Sequence, residues 1–139
     1  PDASRPIRGQ PIQIEQVIVN LLGNARDAIV ERHARDGETA PRGAIRLSLR
    51  DDGEHLAIEV QDNGGGIPVP ALPYIFEPFF TTKKAGKGTG LGLSVGDAII
   101  KAMGGTLTAA NKDDGARFTI LLPVAAGQDD GGGKADEKK

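Results

Sequence analysis

Hydrophobic residues that recur every three or four positions predict two helices. The first runs from residue 11 to about residue 32, and its apolar positions are Ile14, Val17, Ile18, Leu21, Ala25, Ala28 and Ile29. The second runs from about residue 91 to residue 103, with a buried stripe of Val95, Ala98, Ile99 and Ala102. Gly104 and Gly105 follow it, and glycine is common just past a helix C-terminus.

Alternation of apolar and polar residues predicts four strands, paired as two hairpins. The strands cover residues 45–50, 56–61, 106–111 and 117–122. Their turns are Asp51-Asp52-Gly53-Glu54 and Lys112-Asp113-Asp114-Gly115, both rich in turn-forming residues. A short strand is also predicted near residues 6–8, a loop at 33–43, a helical turn at 72–76 and an irregular segment at 77–90. The low aromatic content of 4% and the 20 glycines favour an α/β domain with several tight turns over an all-β module.

Composition limits the class of protein. The 139 residues suffice for one domain with a hydrophobic core, predicted at residues 1–125, and the polar residues 126–139 are predicted to be a disordered tail. A net charge of −2 gives no basic signature of nucleic-acid binding. The absence of cysteine excludes disulfides and thiol catalysis and suits a reducing cytoplasm. The first residue, Pro1, predicts a piece of a longer protein.

A polar stripe lies along one face of the first predicted helix. Asn20, Asn24 and Asp27 fall at i, i+4 and i+7 and therefore share that face. Solvated stripes are the common explanation, but they consist mostly of Lys, Glu and Arg, whereas Asn is a poor helix former. A second explanation stays open, a partly buried polar wall whose Asn carbonyl oxygen ligates Mg²⁺ that already carries phosphate charge.

The turn-rich segment Asp62-Asn63-Gly64-Gly65-Gly66-Ile67-Pro68 follows the second predicted strand. Asp-Asn-Gly at a strand end is most often a simple turn. Three successive glycines exceed what a turn needs, since each costs backbone entropy, and they would let the backbone approach a flat ligand closely. Asp62 would then accept a hydrogen bond from the exocyclic amine of adenine and disfavour guanine, whose carbonyl oxygen would face the carboxylate.

Two further motifs flank the irregular segment at residues 77–90. Three of the four Phe residues lie in Phe76-Glu77-Pro78-Phe79-Phe80, which indicates either core anchors or an aromatic hinge beneath a mobile segment. Gly86-Lys87-Gly88-Thr89-Gly90-Leu91-Gly92-Leu93-Ser94 leads into the second helix, whose free N–H groups and dipole favour phosphate. Its spacing is neither that of a Walker A loop nor that of a dinucleotide-binding fingerprint.

Taken in order, these four motifs resemble the ATP-binding catalytic domain of sensor histidine kinases, in the superfamily shared with gyrase, heat-shock chaperone and mismatch-repair ATPases. Residues 16–25, 62–67, 75–80 and 88–94 resemble its N, first G, F and second G boxes. The resemblance covers residues 6–124. It implies a Bergerat-type fold, an α/β two-layer sandwich with a mixed, largely antiparallel sheet, about three helices and a Gly-rich ATP lid.

The resemblance also implies roles for individual residues. Asn24 is the expected Mg²⁺ ligand and Asp62 the expected partner of the adenine amine. The expected catalytic residues are Asn20, Asn24, Lys83 and Lys87. The expected ATP contacts are Asn20, Asn24, Asp27, Asp62, Gly64, Gly66, Ile67, Phe80, Thr82, Lys83, Lys87, Gly88, Thr89, Gly90, Leu91, Gly92 and Leu93.

Two positions depart from patterns in that superfamily. Asp27 stands where many such kinases carry a phosphate-contacting Lys, so the lid lysines or Arg26 must supply more of the charge compensation. Asn20 stands where the hydrolysing ATPases carry a Glu that activates water. Because an amide cannot take up a proton at neutral pH, the resemblance predicts a domain that holds ATP without hydrolysing it.

The phosphoryl acceptor is expected outside this chain. Kinases of this family phosphorylate a His on a separate dimerising helical hairpin, whereas His33 and His55 lack that sequence context and are interpreted as surface residues. The expected partners are that phosphoacceptor domain and a response regulator, without nucleic acid. We expect a monomeric isolated domain and a homodimeric parent, whose membrane anchoring the sequence leaves open. A free-standing ATPase and a non-catalytic nucleotide-binding module are the alternatives.

Overall fold

In a computed structural model, the chain forms an antiparallel sheet with helices packed on one face. The structure describes residues 11–80 and 92–124, with side chains from residue 13 onward. The helices are α1 (Pro11–Asp36) and α2 (Gly92–Ala102), with 3-10 helices at Gly37–Thr39 and Val69–Tyr74. The strands are β1 (Ile45–Asp51), β2 (His55–Asp62), β3 (Thr106–Lys112) and β4 (Gly115–Pro123). The α/β two-layer sandwich is therefore confirmed.

The strand order is β1-β2-β4-β3, so β2 and β4 occupy the middle of the sheet. Ile58 of β2 lies opposite Ile120 of β4, which lies opposite Leu107 of β3, and all three are buried beneath the helices. Every pairing among the described strands is antiparallel. The strand predicted near residues 6–8 and the tail predicted at 126–139 lie outside the described residues.

Helix α1 is longer than the sequence predicts. The prediction of a helix end near residue 32 and a loop from residue 33 is wrong, because the helix continues to Asp36. Arg32 and Arg35 lie 3.5 and 3.1 Å from the carboxylate of Asp36. The charged residues that suggested a loop therefore pair within the last turns of the helix. Among the described residues, no helix combines the length and apolar character needed to cross a membrane.

The buried face of α2 also differs from the predicted stripe. Val95 is 48% exposed, and Ala98 and Ala102 are exposed as well, whereas Gly96 and Ile100 are buried. A Cβ on Gly96 would lie 3.4 Å from a methyl group of Val17 in α1. Of the predicted stripe, Ile99 packs against the core. The prediction was wrong for the other three residues because it placed the buried face on the wrong side of the helix, leaving out Ile100 and the small Gly96, through which the two helices pack closely.

The predicted end of α2 is confirmed. The backbone N–H of Gly104 donates to the carbonyl oxygen of Lys101, and that of Gly105 donates to Ile100, each at 2.9 Å. This pair of bonds is the Schellman arrangement, which satisfies carbonyl groups that the helix end leaves free. The chain can then turn directly into β3.

Both predicted hairpin turns are present. At the β1–β2 turn, Oδ1 of Asp52 accepts hydrogen bonds from the backbone N–H groups of His55 and Glu54, at 2.7 and 3.1 Å, which lower the pKa of Asp52. At the β3–β4 turn, Asp113 and Asp114 have φ angles of 50° and 69°. Two successive positive φ angles are typical of a type I′ turn, which matches the twist of a two-residue hairpin.

Candidate functional site

Helix α1 joins the two ends of the candidate site. A Cβ on Gly92, the first residue of α2, would lie 2.7 Å from Nδ2 of Asn20. Further along α1, Ala28 contacts Gly64 in residues 63–67, which we call the glycine loop. Asn20 and Ala28 are eight residues apart, which corresponds to about 12 Å of helix rise. The start of α2 and the glycine loop are thus held at a fixed separation by one rigid element.

The polar stripe of α1 falls within this interval. Asn20, Asn24 and Asp27 are all half-buried, which favours the polar wall over a fully solvated stripe. Nη2 of Arg26 lies 3.1 Å from Oδ1 of Asp27, so these two charges are paired. Arg26 is 73% exposed at this contact, and its contribution to phosphate charge compensation stays a prediction.

Asp62, at the end of β2, is the buried charged residue of the described part of the chain, with 6% of its surface exposed. Its Oδ1 accepts hydrogen bonds from the backbone N–H groups of Gly64 at 2.8 Å and Ala116 at 3.4 Å. No hydrogen bond reaches Oδ2 from the described residues. Burial raises the pKa of the Asp62 carboxyl, and the two N–H groups oppose that shift. One carboxylate oxygen is therefore fixed, and the other is left for a further donor.

All three glycines of the loop have reasons in the fold itself. A Cβ on Gly64 would lie 2.7 Å from the Cβ of Ala28 and 2.9 Å from the backbone nitrogen of Ile29. Gly65 and Gly66 have φ angles of 96° and 86°, a region that side chains disfavour. Close packing and turn geometry thus account for the glycines independently of a ligand, and the contacts of Gly64 and Gly66 with ATP stay predictions.

The side chain of Asn111, at the end of β3, holds the last residue of the glycine loop. Its Oδ1 accepts the backbone N–H of Ile67 at 2.7 Å, and its Nδ2 donates to the carbonyl oxygen of Ile67 at 2.8 Å. Both backbone groups of Ile67 are therefore satisfied by one carboxamide, as they would be by a neighbouring strand.

Arg32 ties the middle of the loop to the β3–β4 turn. Its Nη1 donates to the carbonyl oxygen of Asn63 at 2.8 Å and lies 2.7 Å from Oδ2 of Asp114. The hydrogen bond with Asp114 raises the pKa of the Arg32 guanidinium above its ordinary value. The carbonyl oxygen of Asp114 also accepts the N–H of Gly65 at 2.9 Å. The Arg32–Asp114 ion pair and the adjoining hydrogen bonds thus connect α1, the glycine loop and the β3–β4 turn.

The side chain of Asn63 connects the loop to the segment before β1. Its Oδ1 accepts the N–H of Ala44 at 2.9 Å, and its Nδ2 donates to the carbonyl oxygen of Arg42 at 2.8 Å. The side chain of Asn63 therefore has a structural role. Its neighbour Asp62 is the residue whose second carboxylate oxygen accepts no hydrogen bond from the described residues.

The Phe-rich motif divides between core and surface. Phe76 packs edge-on against Phe118, with ring centroids 6.4 Å apart, and is a core anchor. Phe80 lies 6.2 Å from the ring of Tyr74. Phe79 is 72% exposed and has a φ of 67°, an unusual conformation for a bulky residue. Core anchoring thus explains Phe76, and the ATP contact of Phe80 stays a prediction.

Several predicted ATP contacts lie outside the described residues. They are Thr82, Lys83, Lys87, Gly88, Thr89, Gly90 and Leu91. Of the second G box, Gly92 contacts Asn20, and Leu93 is half-buried against the core. The described part of this motif therefore does lie beside the N box.

The two histidines have the surroundings of structural residues. His33 is exposed near the end of α1, with Nδ1 lying 3.0 Å from the carbonyl oxygen of Ile29. His55 is half-buried at the start of β2, at the opposite end of that strand from Asp62. The interpretation of His33 as a surface residue is confirmed, whereas His55 is more buried than the sequence suggested.

A family model described as histidine kinase-, DNA gyrase B-, and HSP90-like ATPase matches residues 9–126. The chain belongs to this ATPase family. The match covers the helix, the loop and both hairpins described above. The predicted membership of this superfamily is thereby confirmed.

Relatives of this ATPase domain are two-component sensors. The two-component sensor PprA of Pseudomonas aeruginosa is 50% identical over 127 residues, which are 91% of this chain and 13% of that protein. The sensor kinase CckA of Brucella abortus is 44% identical, over 85% of this chain and 13% of the relative. The sensory histidine kinase/phosphatase NtrB of Rhizobium meliloti is 38% identical, over 88% of this chain and 33% of the relative. The chain thus spans a third or less of these proteins.

Solved structures show the same fold. The catalytic domain of the histidine kinase ThkA superposes with a TM-score of 0.68 and 34% identity, over 83% of this chain and 69% of that one. The mycobacterial sensor histidine kinase MprB gives a TM-score of 0.68 and 26% identity, over 84% of this chain and 73% of that one. Both neighbours are histidine kinases, in agreement with the family.

Magnesium binding by Asn24 stays a prediction for this ATPase domain. No group of three His, Cys, Asp or Glu residues that could hold a metal occurs in residues 11–80 and 92–124. Mg²⁺ commonly takes only one or two protein oxygens together with phosphate oxygens and water. A single carboxamide oxygen from Asn24 suits that mode, whereas an all-protein metal cage is not offered by the described residues.

The sequence did not predict the roles of Arg32, Asn111 and Asp114. Asn is disfavoured in strands, so Asn111 at the end of β3 carried a weak signal of a special role. Arg32 and Asp114 lie 82 positions apart in the chain, and nothing local in the sequence indicates that they pair. These three residues complete the support of the glycine loop.

Proposed function

We propose that this domain binds Mg·ATP and donates the γ-phosphoryl group to a histidine on a separate dimerisation and phosphoacceptor domain, in two-component signalling. The observation that carries the proposal is the half-used carboxylate of Asp62. Its Oδ1 is occupied by two backbone N–H groups, and its Oδ2 is left to accept a hydrogen bond. The exocyclic amine of adenine is the donor we infer, since guanine would bring a carbonyl oxygen to the same place.

The phosphates would then lie toward the start of α2. Asn20 contacts Gly92 there, about 12 Å along α1 from the glycine loop. The free N–H groups at a helix N-terminus favour phosphate, and Asn24 lies between the two ends of the site. Lys83 and Lys87 would add positive charge, and Mg²⁺ on Asn24 would neutralise part of the phosphate charge when bound.

Transfer without hydrolysis follows from the residues around the phosphates. Asn20 cannot accept a proton from water at neutral pH, so the domain would lack the general base of the hydrolysing members. An imidazole nitrogen of the acceptor would form a bond to the γ-phosphorus as the bridging P–O bond breaks and ADP leaves. The contribution of this chain would be positioning and charge stabilisation.

The partners we infer are those of a two-component sensor. The relatives are far longer than this chain, which leaves room for a phosphoacceptor domain and further segments in a parent protein. We propose that the parent is a homodimer, that the isolated domain is a monomer and that a response regulator receives the phosphoryl group downstream. Nucleic acid is not among the proposed partners.

A transfer assay tests the proposal directly. The 139-residue chain is incubated with Mg²⁺, γ-³²P-ATP and a supplied helical phosphoacceptor domain, and an acceptor whose phosphorylated His is changed to Gln serves as the control. We expect acid-labile label on the acceptor His, none on the Gln control, and none with the Asn24→Ala variant of this chain.

Two other results would favour the alternatives. Sustained release of phosphate without any acceptor, abolished by Asn24→Ala, would indicate a free-standing ATPase. Binding of ATP with neither transfer nor turnover, for an acceptor that an active kinase domain does label, would indicate a non-catalytic nucleotide-binding module.

A further inference from the structure

The orientation of Asp62 depends on a loop that is intrinsically flexible. Oδ1 of the carboxylate is held by the backbone N–H of Gly64, the first of three successive glycines. Glycine loses more backbone entropy on folding than other residues, so this loop would sample many conformations if nothing else held it. The N–H of Ala116 in β4 is a second, longer contact of Oδ1 at 3.4 Å, so the direction of the free Oδ2 depends mainly on the shorter bond from the glycine loop.

Helix α1 and the segment before β1 hold the start of the loop, at Asn63 and Gly64, and the β3–β4 hairpin restrains its middle and far end. Asn111 holds both backbone groups of Ile67, at 2.7 and 2.8 Å, so the far end of the loop has a fixed position. The N–H of Gly65 donates to the carbonyl oxygen of Asp114, at 2.9 Å, and fixes the middle. The three bonds come from one tight two-residue turn and its flanking strand.

We propose that Asn111 is the positioning residue for adenine recognition in this domain. It touches neither the base nor the phosphates and acts through Ile67, Gly64 and Asp62 in turn. By fixing the loop when the protein folds, it removes conformational entropy that would otherwise be lost when the nucleotide binds. This inference rests on the proposed function and adds to it the residue that sets base selectivity.

The chemistry of the side chain explains why an amide is used. A carboxamide offers one acceptor and one donor at the spacing of the backbone groups of Ile67. An Asp at position 111 would still accept the N–H of Ile67 but would set a negative oxygen against its carbonyl oxygen. The side chain of Asn111 also packs closely against the loop, since a Cβ on Gly66 would lie only 2.9 Å from Oδ1 of Asn111.

Comparison of two nucleotides separates positioning from general stability. The 139-residue chain is titrated with Mg·ATP and with purine riboside triphosphate, which lacks only the exocyclic amine that Asp62 would bind. The proteins are wild type, Asn111→Ala, Asn111→Asp, and Thr108→Ala, an exposed change on the same strand as a control. Asn111 is itself solvent-exposed, so we expect both of its variants to fold, which thermal unfolding checks.

We expect wild type and Thr108→Ala to prefer ATP by about tenfold or more, the effect of one buried hydrogen bond. In Asn111→Ala and Asn111→Asp, the preference should fall below about threefold. ATP affinity should decrease about 5- to 30-fold while affinity for purine riboside triphosphate changes by less than about threefold. If Asn111 had a merely structural role, its variants would bind both nucleotides more weakly by the same factor, and the preference for ATP would be unchanged.

The results also separate this inference from the proposed function. If wild type binds neither nucleotide, the proposed function is wrong. If wild type prefers ATP and both Asn111 variants keep that preference, the function stands and the positioning role is overturned. If only Asn111→Ala fails to fold, Asn111→Asp decides, because its side chain has nearly the same shape.

Discussion

Gly64 of the glycine loop packs against Ala28 of α1 so closely that a Cβ on the glycine would lie 2.7 Å from the Cβ of Ala28. Backbone atoms of α1 lie 2.8 and 2.9 Å from the same position, so the helix has no room to yield. The loop that follows Asp62 is thereby pressed onto the helix that carries Asn20 and Asn24. This contact therefore holds the residue proposed for base recognition close to the helix proposed for phosphate binding.

A Gly64→Ala substitution should therefore be strongly destabilising. Overpacking of this kind commonly lowers the free energy of unfolding by about 1–3 kcal/mol. Urea unfolding of the two proteins measures the difference. The matched control is Gly23→Ala in α1, where no atom lies within 4 Å of the added Cβ and helix propensity predicts a gain of up to about 1 kcal/mol. Equal stability of Gly64→Ala and wild type would contradict the described contact.

An Asp62→Asn substitution should weaken ATP binding. The amide would place a donor where the carboxylate accepts from the adenine amine, and a mispaired buried polar group costs about 1–3 kcal/mol, or about 5- to 150-fold in affinity. Titration calorimetry with Mg·ATP measures the change. Glu59→Gln is the control, since Glu59 lies on the same strand but on the opposite face. Unchanged affinity of Asp62→Asn would remove Asp62 from the adenine site.

The same substitution should not reduce stability at neutral pH. Burial raises the pKa of the folded Asp62 carboxyl above its ordinary value of 3.8, so the folded state binds a proton more tightly than the unfolded state does. The contribution of Asp62 is therefore most favourable below pH 3.8 and is lost as the pH rises through the raised pKa. We expect Asp62→Asn to be at least as stable as wild type at pH 7.

Unfolding free energies measured as a function of pH check this sign. The advantage of Asp62→Asn over wild type should shrink as the pH falls through the raised pKa toward 3.8. Glu59→Gln is again the control. A loss of stability in Asp62→Asn that grows as the pH rises above 3.8 would show that the fold favours the charged carboxylate, contrary to the direction of the pKa shift.

Nucleotide should protect residues 82–90 from amide exchange. The prediction rests on the resemblance of residues 77–90 to an ATP lid, with Lys83 and Lys87 as phosphate contacts. Exchange is measured with and without Mg·ATP, and the amides of β1, at the edge of the sheet, are the internal control. If bound nucleotide leaves exchange in residues 82–90 unaltered, the lid assignment is wrong.

Local patterns in the sequence were sufficient for the helices and hairpins. Periodicity located α1, α2 and the four strands, because helical and strand spacings differ. It failed at the end of α1, where the helix continues through a charged segment in which Arg32 and Arg35 lie close to Asp36. The buried side of α2 was only partly predicted, because Gly96 has no side chain to indicate burial and Ile100, four residues further on, was therefore not assigned to the same face.

Some residues of the candidate site are indicated by the local sequence, and others form contacts only with residues that are distant in the chain. Asp62 was selected from the local sequence because the three glycines after Asn63 exceed what a turn needs, and its contact with adenine stays a prediction. The contact of Asn111 with Ile67 could not be predicted, since the residues are 44 positions apart and meet only when the sheet is formed. The pairing of Arg32 with Asp114 is hidden for the same reason.

Titration of the 139-residue chain with Mg·ATP, Mg·GTP, and ATP in the presence of a chelator tests the central claim most directly. A half-used buried carboxylate at the base and an Asn-borne magnesium ion at the phosphates predict one ATP site. GTP should bind at least about tenfold more weakly than ATP, as expected for one mispaired buried group. Removal of Mg²⁺ should weaken the binding of ATP. Absence of ATP binding, or equal affinity for ATP and GTP, would contradict the account.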